Sequence, residues 1–329
     1  MLTQARPLRS SPLLTKAGAA KSLPSVAARC STMIVVRIAV IILQLSVELV
    51  VFSLGLEATL ADATSLFRRP ALLFRSLLSM NVIMPAFAAA LAALFALKPE
   101  VKIALIFLAV SPVPPVLPVQ QFRVSGRSNY IHGLLVSAAL ISIVAVPLTI
   151  DLLGRAFGQD VHISPATVAR VVGISVLAPL AAGMLVHRLA PNVTQKVAPI
   201  LSKMALVLLL ASAAVILAVS FPAILTMIGN GTVLAITAFV VMGAAFGHLL
   251  GGPVPSERTT LALATASRHP GLALAITAAT YPPQRRNVAA VVLLYFLVKA
   301  VVLLPYNAQR KRQLAGFNPP EKTAPKRAA

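Results

Sequence analysis

The chain has 329 residues, of which 58% are hydrophobic and only 11% charged, with a mean hydropathy of +0.89. That composition excludes an ordinary soluble domain and fits an α-helical membrane protein. The 29 Lys and Arg against 8 Asp and Glu give a net charge of +21, which in a soluble protein would suggest a nucleic-acid partner. Here much of the excess lies in the two tails and in short connections, where anionic lipid attracts it. With no Trp and 5% aromatics there is no base-stacking surface, so nucleic acid is rejected as a partner. Cys30 is the only cysteine, which excludes an intramolecular disulfide and a Cys-cluster metal site.

Residues 1–32 are basic, rich in Ser and Ala, and contain no acid. They read as a disordered tail, an over-extended translation start, or an organelle-type transit peptide. Residues 33–306 form one transmembrane domain, and 307–329 a basic C-terminal tail. About nine helical segments are predicted, each close to the length of a membrane span. They run Met33 to Leu56, Ala71 to Leu97, Val101 to Phe122, Asn129 to Leu153, Pro165 to Leu189, Val197 to Ser220, Ala223 to Leu250, Glu257 to Ala279 and Arg286 to Tyr306.

The third and eighth segments differ from the rest. Pro112, Pro114, Pro115 and Pro118 remove too many backbone donors for a continuous helix. In the eighth, Ser267, Arg268, His269, Pro270 and Gly271 interrupt an Ala/Leu-rich run. Lipid cannot satisfy the freed backbone groups, so both breaks are expected inside the protein. If segments one to four repeat as six to nine, the breaks occupy matching positions, which is where repeat-built transporters bind substrate. The fold class expected is therefore all-α membrane, an inverted-repeat transporter with two broken, crossing helices.

Basic connections favour a cytoplasmic C-terminus, with Arg68, Arg69, Arg123, Arg127, Arg188, Lys196 and Arg258 on the same side as Arg310. A bacterial inner membrane is the expected location, or an organelle membrane if the N-terminal tail is a transit peptide. Nine spans place the basic N-tail on the other side, against the same rule.

Arg268 is the leading functional candidate, because an arginine deep in an apolar segment costs roughly 2.5 to 3.5 kcal/mol on insertion scales. It is either half of a structural ion pair, with Glu48 as the partner, or a fixed cation for an anionic substrate; the two are compatible. His269 is either a proton relay or a packed hydrogen-bonding group. Ser267, Pro112 and Pro115 belong to the breaks, where half-helix ends aim partial charges at a cavity. Gln120 follows the first break and faces the cavity or caps the helix end; for Gln121 the helix end is preferred. Asn81 is interhelical glue or a cavity ligand. No motif for hydrolysis or phosphoryl transfer is present, so neither an enzyme nor a cofactor is expected.

Phe52-Ser53-Leu54-Gly55-Leu56 ahead of a polar turn ending in Arg68-Arg69-Pro70, then Ile83-Met84-Pro85, Ser111-Pro112, and Thr265 to Leu272 closing on Pro270-Gly271-Leu272 occur in an order that resembles the bile acid:sodium symporter family. The resemblance covers Met33 to Tyr306. It implies two inverted repeats, a core containing two crossing broken helices, and a panel that moves against it to carry organic anions such as bile acids, pantoate, pyruvate or sulfonated compounds. The family includes nine-helix members, which this chain resembles.

The departures from the family pattern fall on its sodium ligands. Where sodium-coupled members carry a Gly-Gly-Thr turn and a Ser-Asn pair, this chain has Val113, Pro114, Pro115, Leu117 and Pro118. Where they carry Glu and a Gln-Asn pair, it has Ala264, Arg268 and His269. Sodium needs several oxygens and is repelled by a guanidinium. The expectation is a carrier of a small organic anion that is not sodium-coupled, with Arg268 standing in for the ion, and with proton coupling, exchange or facilitation left open. The alternatives are a non-transporting ligand-sensing or structural relative, and an efflux carrier for a metalloid or toxic compound. The last typically uses a pore cysteine, and Cys30 is badly placed for it.

Overall fold

The computed structural model describes residues 26–115, 117, 129–159 and 161–317. The described elements are helical: α1 (Val26–Gly55), the short α2 (Leu60–Thr64), α3 (Pro70–Leu94), α4 (Pro99–Val110), α5 (Asn129–Ala156), α6 (Pro165–Leu189), α7 (Pro191–Met227), α8 (Thr232–Leu250), α9 (Pro255–Ala266), α10 (Pro270–Thr280) and α11 (Arg285–Phe317). Seven continuous helical stretches, α1, α3, α5, α6, α7, α8 and the one that contains α11, are long and apolar enough to cross a membrane. The chain is an all-α membrane protein.

Proline sets most of the starts. Pro70, Pro99, Pro165, Pro191, Pro255 and Pro270 each stand at the first helical position, where a missing N–H costs nothing. Two interior prolines leave a further mark. Ahead of Pro85 and Pro179, the helix widens into π turns at Leu78–Ile83 and Gly173–Leu177, which absorb the lost hydrogen bond without breaking the rod.

Both expected breaks are present, with shifted edges. α4 ends at Val110 and Ser111 turns extended (ψ 145°). The second interruption is Ser267–His269 alone, since Pro270 and Gly271 begin α10. The sequence reading also placed a boundary near Phe221 and Pro222, yet α7 runs through Pro222 to Met227. The chain turns instead at Gly229, Asn230 and Gly231, all at positive φ, a conformation glycine reaches without penalty. α1 begins earlier than expected and carries Cys30 on its first turns. α11 continues past Tyr306, because Arg310 hydrogen-bonds back to Thr259 Oγ1 and Pro255 O, both at 2.8 Å.

Two bodies emerge from the packing. α1, the C-terminal half of α6 and α7 form a layer whose small apolar core is Val50, Val51, Leu54, Leu180 and Ala205. Gly55 and Gly183 let α1 and α6 touch backbone to backbone; a Cβ on Gly183 would lie 2.3 Å from Phe52 O. The larger body contains α3, α4, α5, α8, α9, α10 and α11 around one extended core. Within it the Gly243-x-x-x-Gly247 spacing seats α9 directly on α8, with Leu261 O 2.4 Å from where a Gly247 Cβ would be. The N-terminal half of α6 packs on α5 and α10, so this helix belongs to both bodies.

Candidate functional site

At the centre of the larger body the two breaks lie against each other. The prolines create a local surplus of carbonyls. Ser111 O has Pro114 and Pro115 where its helical donors would be, and Met80 O has lost both of its own: Met84 N–H bonds Ser79 O across the π turn, and Pro85 has no N–H. The second break supplies the missing donors. Arg268 Nη1 donates to Ser111 O at 3.2 Å and Nη2 to Met80 O at 3.1 Å, while His269 N–H donates to Pro112 O at 3.0 Å. A buried carbonyl left unpaired costs about 1–3 kcal/mol, so this exchange is what lets both breaks persist.

Other partners fix the second break in place. Tyr295 of α11 accepts the Arg268 N–H at 3.1 Å and donates to Ala266 O at 2.7 Å, bridging the residues on either side of Ser267. Thr265 and Ser79 share a hydroxyl contact at 2.9 Å. His269 caps α10, its Nδ1 accepting the Leu272 N–H at 3.2 Å. In the neutral ring that leaves the proton on Nε2, which faces Ser175 Oγ at 3.3 Å. Ser175 sits on the π turn of α6 and itself donates to Val171 O. The His269–Ser175 contact thus ties the broken helix to the helix shared by both bodies.

The structure separates the sequence candidates. Arg268, His269, Ser267 and Pro112 converge at the crossing, and Pro115 is buried at the first break. The ion pair between Arg268 and Glu48 is not formed. Glu48 lies on α1, in the other body, and among the described residues no carboxylate pairs with Arg268, whose guanidinium is spent on backbone carbonyls. Asn81 follows Met80 on the π turn, half-buried, with no hydrogen bond among the described residues. Gln120 and Gln121 lie outside the described residues. Arg268 has no solvent exposure at all, so in this conformation a substrate does not reach it. Its Nε and the Ser267 hydroxyl are buried without partners.

Two features were missed. Tyr295 gave no signal in an apolar run. Lys299 did: it is a lone cation inside the last apolar segment, and it is 5% exposed, with Nζ 4.6 Å from the Phe296 ring centre and 5.7 Å from that of Tyr295. Tyr295 therefore has the Lys299 ammonium over its ring and the Arg268 backbone at its hydroxyl. The one buried acid among the described residues, Glu257, is already paired with Arg69, whose Nη1 and Nη2 donate to its two carboxylate oxygens. That pair holds Arg69, at the membrane boundary, above its ordinary pKa.

The pattern of the Sodium Bile acid symporter family matches residues 44–227, more than half of the chain. No match was found among curated proteins. The chain belongs to the sodium bile acid symporter family.

Proposed function

We propose, from that membership, that this protein carries a small organic anion across the membrane by alternating access, with Arg268 as a built-in cation at the crossing of the broken helices. One observation carries the reading: a guanidinium donates to carbonyls of two separate segments, Ser111 O and Met80 O, at the point where the breaks meet. Backbone carbonyls converging on a cation is the arrangement a bound sodium would require. Here those oxygens are already occupied by a covalently attached charge, and Val113, Pro114 and Pro115 offer no side-chain oxygen. Sodium does not fit such a site, and no step is assigned to it.

The charge balance supports an anionic cargo. Among the described residues Arg268 and Lys299 are buried without a carboxylate partner, and the single buried acid is committed to Arg69. In a low-dielectric interior this leaves a positive field that an anion relieves. Ser267 Oγ and Arg268 Nε remain unpaired and would be offered to a ligand once the two bodies separate. The layer of α1, α6 and α7 is the panel, the rest the core, and the His269–Ser175 contact must break as one moves against the other. The membrane is a bacterial inner membrane, with the C-terminus cytoplasmic and anionic lipid against the basic end of the bundle.

The test is uptake of labelled organic anions, including pyruvate, pantoate and a taurine-conjugated bile acid, into proteoliposomes. Flux in the wild type that is lost in Arg268→Gln supports the reading. A second reading, a ligand-sensing relative without flux, is favoured by the direct clamp of His269 N–H on Pro112 O. Saturable binding of an anion with no flux in the wild type would select it.

A further inference from the structure

Away from the crossing, at the membrane face where α4 begins and α10 ends, lies a second concavity of about 410 Å³. It is formed by the first turns of α4, the end of α5 with the turn after it, and the link from α10 to α11. This is within the size range of small-molecule sites, roughly 300–1,000 Å³. Its floor is apolar, with Ile106, Phe107 and Ile150, and its polar side chains are few: Lys102, Gln159, Tyr281 and Gln284.

Two features distinguish it from a lipid-filled crevice. Lys102 is the only cation in the lining and makes no ion pair among the described residues, while nearby Glu100 is taken by Asn287, whose Nδ2 donates to it at 3.1 Å. Phe107 and Tyr281 stand with ring centres 6.1 Å apart and tilted by 31°, an aromatic wall beside the lysine. Burial raises the Tyr281 pKa above its ordinary value, so the hydroxyl stays a donor at neutral pH.

We propose that this cleft is a binding site for an amphipathic organic monoanion, which sets its acid group on Lys102 and its apolar body on Phe107 and Ile106. α4 is an arm of the first broken helix, and Tyr281 is the residue that closes α10, an arm of the second, so the cleft is walled by one arm and the end of the other. Its role as a loading site rests on the carrier reading; the binding does not.

The experiment uses the full chain in nanodiscs and 4-benzoylbenzoate, an aromatic carboxylate that cross-links neighbouring C–H bonds under ultraviolet light. The expected result is saturable labelling of the peptides carrying Phe107 or Tyr281. Labelling falls about tenfold in Lys102→Gln, is kept in Lys102→Arg, and is competed by the acid but not by its neutral amide. Equal competition by the amide, or labelling indifferent to Lys102→Gln, would mean an apolar lipid crevice and overturn the proposal, as would labelling confined to other peptides. Loss of anion flux with labelling intact would count against the carrier reading alone.

Discussion

The crossing of the broken helices and the layer of α1, α6 and α7 solve the same problem in opposite ways. The layer is built of helices that run on through Pro179, Pro199 and Pro222, so most of its backbone is satisfied within each helix. What remains is close packing, seen where Gly55 meets Gly183. At the crossing the backbone is interrupted, and the carbonyls of Met80, Ser111, Pro112 and Ala266 are each matched to a donor on another segment. The lesson is that a membrane protein places irregular backbone only where it can import its own hydrogen bonds. A layer built on contact is held by shape alone, whereas the crossing is held by directed bonds.

The largest effect is expected from removing the imported donors. Arg268→Met leaves Ser111 O and Met80 O unpaired and should cost about 3–6 kcal/mol, as two charge-assisted hydrogen bonds at roughly 1.5–3 kcal/mol each. Thermal unfolding in detergent measures it; a neutral result would mean the crossing is not held by Arg268. In the layer, Gly183→Val should cost about 1–3 kcal/mol by forcing two backbones apart, and double substitution with Arg268→Met should be additive because the sites share no partner. Strong coupling between them would dissolve the distinction between the two bodies.

Smaller effects sharpen the contrast. Tyr295→Phe removes one hydroxyl that serves both Arg268 N–H and Ala266 O, and should cost about 1–3 kcal/mol, read as a lowered Tm with the fold intact. Ser175→Ala deletes the single polar contact between His269 and the shared helix. It should cost about 1 kcal/mol or less of stability while shifting the balance between conformations, which a change in cross-linking between α6 and α10 would report.

Much of this architecture was legible in the chain. Proline clusters mark breaks because a missing N–H is a local covalent fact, and the run from Pro112 to Pro118 left no doubt. Arg268 stood out because charge in an apolar run is costly wherever it lands. The choice of partner was not legible: Glu48 carries the obvious opposite charge, but the acceptors are carbonyls, which every residue has. In a regular helix Pro85 would free Asn81 O, and the π turn that moves the vacancy to Met80 O was not legible. The boundary at Pro222 failed for a related reason, since a proline within a long apolar helix is tolerated when neighbours re-satisfy the backbone, and the positive-φ turn at Gly229–Gly231 was the better stop signal. Lys299 was visible as a lone cation and was passed over, whereas its aromatic neighbours Tyr295 and Phe296 came from packing.

The central claim is that the charge at the crossing belongs to the protein and not to a bound ion. The most direct measurement is the initial rate of labelled organic-anion uptake into proteoliposomes, in sodium and in potassium at equal ionic strength, for the wild type and Arg268→Gln. The account predicts the same rate in both salts for the wild type and loss of uptake in the variant. Uptake that requires sodium, or that persists in Arg268→Gln, would contradict it.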